Sequence, residues 1–249
     1  MTRRKAVLLT GAGRATSIAH GIGLTLANDG WNLALTTWTP YDREAAYGGS
    51  LGDIDELKSN LTAAGATVVR IEADLADPQV PAQVVVRAAE ELGGLDALVI
   101  SHSHSADSSI MDTTLESFDR HFAVNARAAW LLIRAFAELR PVAGRIVALT
   151  SDDVVFNLPY GASKGALDRI VLAAAGELGT RGITANLINP GPIDTGWMNE
   201  NDRASLLSRQ PLGRLGTPRD TANLVRFLLS DEGAWITGQL LNSDGGFLR

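Results

Sequence analysis

The chain contains no cysteine. Disulfides, thiolate metal sites and cysteine nucleophiles are therefore excluded. Histidine is scarce, with four in 249 residues. Basic side chains are outnumbered, 22 Lys and Arg against 28 Asp and Glu, for a net charge of −6. That balance argues against a nucleic-acid partner, because phosphate binding needs a basic face. No apolar run approaches the roughly 18 residues of a membrane span. Thr2-Arg3-Arg4-Lys5 is basic but leads only into Ala6-Val7-Leu8-Leu9, too short for the roughly 7–15 residue core of a signal peptide. No membrane partner and a cytoplasmic location are expected. What is present is ordinary for a globular protein: 45% hydrophobic and 20% charged residues. Disorder and a collagen-like fibre are excluded, and the length suits one large domain over residues 1–249.

Apolar, β-rich runs alternate with helical patterns along the whole chain. Strands are read at Ala6–Leu9, Leu33–Leu35, Thr67–Ile71, Leu95–Ile100, Gly144–Leu149, Ile183–Ile188 and Gln239–Leu241. Helices are read near Ile18–Asn28, Asp53–Ala63, Pro78–Leu92, Leu115–Leu139, Tyr160–Gly179 and Thr217–Ser230. Strands this short and continuously apolar are buried on both faces, as in parallel sheets. Repeated strand–helix–strand units predict a doubly wound α/β fold of Rossmann type, with a seven-stranded, mostly parallel sheet and helices on both faces. Two irregular stretches, Trp38–Gly52 and Pro192–Thr217, follow strand C-termini, where such sheets bind ligands. The second is read as a substrate-side loop at about 192–217.

Thr10-Gly11-Ala12-Gly13 follows the first strand, and Gly21-Ile22-Gly23 lies in the first helix. Glycines here let the backbone approach a pyrophosphate, and the helix N-terminus supplies amide donors. A glycine turn with close helix–sheet packing is the plainer alternative. Ser17 is placed to cap the helix starting at Ile18. The second strand runs into Thr36-Thr37-Trp38, and the first acid after it is Asp42. With no acid at the strand end, a 2′-phosphate is admissible. Arg14 and Arg43 are its candidate partners, with Thr36 and Thr37 as hydroxyl donors. NADP(H) is favoured over NAD(H).

Tyr160 and Lys164 are four apart at a helix start and share a face. A nearby ammonium favours phenolate and would lower the tyrosine pKa from its usual value near 10, fitting it for acid–base work. Ser151, at the end of the preceding strand, could hold a substrate oxygen.

Thr10-Gly11…Gly21-Ile22-Gly23, Asp74-Leu75, Asn125, Ser151, Tyr160-Gly-Ala-Ser-Lys164, Asn189-Pro190-Gly191-Pro192 and Asp244-Gly245-Gly246 occur in the order of the short-chain dehydrogenase/reductase family, which the chain resembles over essentially its whole length. The later segments look most like ketoacyl reductases. The resemblance implies Tyr160 as proton donor or acceptor, with Ser151 orienting the substrate oxygen. Lys164 would hold the nicotinamide ribose. Asn125 would bend the long helix and hold a water of the proton relay. Cofactor contacts would come from Gly11, Gly13, Arg14, Ser17, Ile18, Gly21, Thr37, Asp74, Leu75, Ser101, Lys164, Pro190, Gly191, Ile193 and Thr195.

The sequence also departs from that pattern. Nine residues separate Gly11 from Gly21, and Ser17–Ile22 looks like the loop of enoyl-acyl-carrier-protein reductases. Ile100-Ser101-His102-Ser103 replaces Asn-Asn-Ala-Gly, and the Ser151–Tyr160 segment is short. His102, His104 and Asp107 are too few for a metal site and read as pocket-lining residues. Asp152 and Asp153 read as solvated acids, while Trp197 and Met198 could cover an apolar substrate. The resulting expectation is an NAD(P)-dependent oxidoreductase interconverting a ketone or 3-oxoacyl carbonyl and a secondary alcohol. An epimerase- or dehydratase-type enzyme and a silent nucleotide-binding module are the alternatives. A homo-oligomer, tetramer or dimer, is expected through the helices at 115–139 and 160–179. These carry Ala126, Ala128, Ala129, Ala173, Ala174 and Ala175.

Overall fold

A computed structural model describes residues 3–44, 51–196 and 198–247. Its centre is one seven-stranded sheet of β1 (Ala6–Leu9), β2 (Asn32–Thr37), β3 (Val68–Glu72), β4 (Ala97–Ile100), β5 (Arg145–Leu149), β6 (Thr184–Asn189) and β7 (Leu240–Asn242). The spatial order is β3-β2-β1-β4-β5-β6-β7, and every pairing is parallel.

Successive strand residues point to opposite faces. Leu8, Leu98 and Ile146 enter one apolar cluster, with Phe136, Leu132 and Val171. Leu9, Val99 and Val147 enter the other, with Ile22, Leu26, Leu57 and Val225. Both faces are covered, which is why the strands read as unbroken apolar runs. The first face is built from α4 (Val80–Leu92), α6 (Ala128–Glu138) and α7 (Leu158–Leu178). The second is built from α1 (Ile18–Asn28), α3 (Leu51–Ala63) and α9 (Pro218–Leu229).

The element boundaries differ from the sequence reading in four places. The irregular stretch 38–52 contains α2 (Thr39–Glu44), and the stretch 192–217 contains α8 (Glu200–Ser208). Residues 45–50 lie outside the described set. The helix read from Pro78 begins at Val80, because Asp74 and Asp77 close turns on the amides of Ala76 and Gln79 at 2.9 Å each. The long helix at 115–139 is α5 (Leu115–His121), a π-helical turn at Phe122–Arg127, then α6. The interruption falls on Asn125.

The strand order reverses between β1 and β4, opening a crevice at their C-terminal ends. Thr10 N–H donates to Val99 O at 3.0 Å across that crevice.

Candidate active site

Gly11 leaves β1 with φ +78°, and a Cβ there would lie 2.6 Å from His102 Cα. Only glycine combines that backbone conformation with that approach. Its N–H donates to Thr36 Oγ1 at 3.2 Å. Gly13 has the Asp42 carboxylate packed against it. Ser17 caps α1 as expected, accepting the His20 N–H at 3.1 Å, and α1 carries no acid in its first turn. Gly21 lies elsewhere: a Cβ there would meet Pro218 at 2.7 Å. It is a packing glycine between α1 and α9, so its expected cofactor contact is corrected.

A cavity of about 770 Å³ runs from the glycine loop to Tyr160, within the usual range for ligand sites, roughly 300–1,000 Å³. It is lined by Gly11, Gly13, Arg14, Ser17, Ile18 and Thr37 at one end. Asp74, Leu75 and Ser101 follow, then Pro190, Gly191, Ile193 and Thr195, with Ser151, Tyr160 and Lys164 at the reacting end. Apart from Gly21, the predicted cofactor contacts therefore share one cleft. A glycine cradle that a Cβ would fill, beside a capped helix N-terminus, fits a dinucleotide.

The ribose end differs from expectation. Thr37 donates to Glu72 Oε2 at 2.6 Å, and Glu72 Oε1 accepts from Thr39 N at 2.7 Å. Thr36 Oγ1 accepts the Gly11 N–H, so it is the Thr37 hydroxyl hydrogen that is committed within the protein. Arg43 is exposed and lies outside the cavity lining, whereas Arg14 lines it. Two acids missing from the β2 terminus itself, Asp42 from α2 and Glu72 from β3, stand at this end. Burial raises the Asp42 pKa, with Arg14 drawing it back down. Asp74 accepts from Ala76 N and pairs with Arg120 at 3.3 Å.

At the reacting end, Tyr160 sits in the first turn of α7 and lines the cavity together with Ser151 and Ser103. Ser151 Oγ also accepts the Asp153 N–H at 3.1 Å. Lys164 is buried, donating to Leu149 O at 2.9 Å, with Nζ 5.6 Å from the Tyr160 ring centre. Burial pulls the Lys164 ammonium down to about 8, against the opposing charge of Asp168. Burial pushes the Tyr160 phenol up to about 12, while the nearby serine hydroxyls pull the other way. The expected lowering of the tyrosine is thus reversed here, because desolvation of the phenolate outweighs every favourable contact.

Asn125 stands behind the cavity. Its Nδ2 donates to His104 O and Ser163 Oγ, both at 2.9 Å, and its Oδ1 accepts from His104 N at 2.7 Å and Ser103 Oγ at 3.3 Å. His102 joins Thr10 Oγ1 at 2.7 Å and Val124 O at 3.0 Å. His104 packs between Tyr41 and His121. Burial holds His102 and His104 at about 4, so both are neutral near pH 7. Among the described residues no group of histidines and acids could hold a metal. Met198, Asp152 and Asp153 line the cavity, and Trp197 lies outside the described residues. The short 151–160 segment contains exposed Val154, Val155 and Phe156.

Sequence reasoning missed Ser103 and Glu72. For Ser103 the available signal was its place at a strand end beside Ser101. For Glu72 it was the β2–β3 register, Thr37 opposite Glu72.

A family model described as enoyl-(acyl carrier protein) reductase matches residues 11–248. A short-chain dehydrogenase/reductase from Serratia marcescens has the same fold, with a TM-score of 0.87, 30% identity and 98% of each chain covered. This chain is a short-chain dehydrogenase/reductase. The versicolorin reductase of Emericella nidulans is 32% identical to this dehydrogenase/reductase, over 98% of this chain and 96% of the relative. A blue fluorescent protein from a metagenomic library, solved in complex with NADPH, is 32% identical, with a TM-score of 0.89 and 99% of each chain covered. Among the described residues of this dehydrogenase/reductase, no helix is long and apolar enough to cross a membrane.

Proposed function

We propose that this enzyme reduces an apolar ketone to a secondary alcohol, with Tyr160 as the proton donor. One observation carries the reading: Ser151, Tyr160 and Lys164 meet at one end of the dinucleotide-shaped cleft. A nicotinamide dinucleotide, when bound, supplies the hydride; the protein supplies position and protons. Gly11, Gly13 and the α1 N-terminus would hold its pyrophosphate, and Lys164 its nicotinamide ribose. A phenol pushed up to about 12 stays protonated at neutral pH. That is the state a general acid needs when a carbonyl oxygen gains negative charge. Ser151 donates a hydrogen bond to the same oxygen. Val154, Val155 and Met198 give the mouth its apolar character.

The reading includes NADPH as the preferred cofactor, supported by Arg14 in the cleft and by the NADPH-bound relative. It also includes a homotetramer. Ala126, Ala128, Ala129, Ala174 and Ala175 are buried within the subunit and cannot serve as an interface. Exposed Trp130 on α6, and Trp235 with Leu240 beside β7, supply two separate apolar faces instead.

The test is a ketone panel followed at the nicotinamide absorbance with each reduced cofactor. Tyr160→Phe should keep the fold and NADPH binding but lose roughly 10²–10⁴-fold in turnover, as for a lost general acid. Near-parent turnover by Tyr160→Phe on an accepted ketone would exclude the assignment.

A further inference from the structure

We propose that Thr16 is a positioning residue that clasps the loop after β6 onto the glycine loop, so that a dinucleotide in the cleft leaves only when the clasp opens. The inference rests on the reading of that cleft as the cofactor site.

The long interval between Gly11 and Gly21 contains the turn Arg14–Ser17, closed by the Ser17 N–H on Arg14 O at 3.2 Å. One side of the turn is fixed to α3, where Asp53 Oδ2 accepts the Ala15 N–H at 3.0 Å. The other side runs into α1 at the Ser17 cap. Thr16 lies between these two anchors. Its hydroxyl reaches the opposite segment and donates to Thr195 O at 2.8 Å, a bond between residues 179 apart in sequence. Ser17 and Ile18 on one side of that bond line the cavity, as do Ile193 and Thr195 on the other. The bond therefore joins two walls of the cleft.

The segment that Thr16 holds is pinned just before Thr195. The Asp194 N–H donates to Gly216 O at 2.9 Å, and the Gly216 N–H donates to Pro192 O at 3.0 Å. Asp194 also pairs with Arg203 on α8. Thr195 comes next, and among the described residues its carbonyl accepts from Thr16 alone. Gly196 follows with φ +81°, and a Cβ there would lie 3.6 Å from Thr16 Oγ1. Glycine lets the chain turn through the left-handed region directly beyond the clasp. Farther on, Met198, Leu206 and Arg209 line the cavity. Thr16 thus sets where Thr195 stands, and Thr195 begins the wall that α8 continues.

Threonine suits this task. Its β-branch restricts χ1 and keeps the hydroxyl aimed. A single neutral hydrogen bond is strong enough to bias a loop and weak enough to break readily. Thr16 is exposed, so water can take both the hydroxyl and the carbonyl once the loops part, and the open state leaves neither group unsatisfied.

The test measures dissociation of NADPH, and of NADH, by stopped-flow fluorescence after a chase with excess oxidised cofactor. The parent is compared with Thr16→Val and Thr16→Ser. Valine keeps the branched shape and removes the donor; serine keeps the donor. The dissociation rate should rise more than twofold, up to about tenfold, in Thr16→Val, the range for one hydrogen bond. Thr16→Ser should stay within twofold of the parent. In the ligand-free protein, amide hydrogen exchange across residues 193–196 should be faster in Thr16→Val than in the other two. A Thr16→Val rate within twofold of the parent, an equal rise in both variants, or unchanged exchange overturns the proposal. Should Thr16→Val not fold, Thr16→Ala replaces it with the same expected results. If the parent binds cofactor and Thr16→Val releases it at the parent's rate, only the clasp fails. If the parent binds neither NADPH nor NADH, the cofactor reading of the cleft fails first and the proposal falls with it.

Discussion

Lys164 should make the folded protein grow more stable as the solution becomes alkaline. Its side chain is buried at 3% exposure, and burial lowers its pKa from 10.5 to about 8. An unfolded chain keeps that lysine protonated to about pH 10.4. Between pH 8 and pH 10 the unfolded state therefore binds one more proton than the native state, and stability rises with pH. Integrated from pH 7 to pH 10, one such site contributes roughly 2 to 3 kcal/mol. Tyr160 has the opposite sign. Its folded pKa is raised to about 12, so its contribution is complete below pH 10 and fades only above that value.

The measurement is urea unfolding of the ligand-free parent and of Lys164→Met at intervals from pH 7 to pH 10. Methionine keeps the stem's bulk and cannot titrate. The parent-minus-variant difference should shift by roughly 2 to 3 kcal/mol in the parent's favour across that range. Using the change with pH, rather than the absolute difference, cancels the lost hydrogen bond to Leu149 O. A difference that stays flat would refute the reasoning, because a lysine with an unshifted pKa gives no slope below pH 10. The fold carries this cost at neutral pH because a charged ammonium is wanted beside the ribose and the phenol.

Three further outcomes follow from the same geometry. Gly11→Ala should lose about 2 kcal/mol through its left-handed backbone and its clash with His102, and should abolish NADPH binding, read by thermal unfolding and cofactor fluorescence; retained binding would remove the glycine cradle from the site. Arg14→Ala should weaken NADPH at least tenfold more than NADH, since about 1.4 kcal/mol is a tenfold change and a phosphate–arginine contact exceeds that; equal losses in titration would reject a 2′-phosphate role. Light scattering at micromolar concentration should return four times the subunit mass, and Trp235→Glu should halve it; a monomer would reject the assembly.

The sheet was legible because burial on both faces writes itself as short apolar runs. The Tyr160–Lys164 pair was legible because helical geometry makes i,i+4 spacing a statement about space. Other features depend on contacts between distant segments. Glu72 meets Thr37 across a strand pairing 35 residues apart. The sequence shows no acid at the end of β2, yet the fold brings one there from β3 and another from α2. Helix α2 has six residues with Pro40 in its first turn, and α8 is polar with no buried residue; neither offers an apolar stripe to read. Gly21 was read for its motif position, whereas its neighbour is Pro218, nearly two hundred residues away. Ser103 could be recognised as a hydroxyl, but not as one that bonds Asn125 and lines the cleft with Tyr160.

The segment that departs furthest from the family pattern, Ile100–Ser103, bears on whether this enzyme has kept its chemistry. A replaced motif could mark a site falling out of use. The contacts here argue otherwise. His102 joins the end of β1, through Thr10, to the π-helical turn, through Val124. Val124 O can only accept, so Nε2 carries the ring proton and the bare Nδ1 accepts from the Thr10 hydroxyl. The bond from Thr10 requires a neutral ring, and burial keeps it neutral at pH 7. A second proton would leave Nδ1 donating towards Thr10 Oγ1, which already accepts from Ser101 N at 3.0 Å and His102 N at 3.3 Å. The histidine therefore fixes the loop that presents Ser101 and Ser103 to the cleft. A chain released from catalysis would have no reason to hold a tyrosine, two serines and a buried lysine charge around one point at a cost in stability.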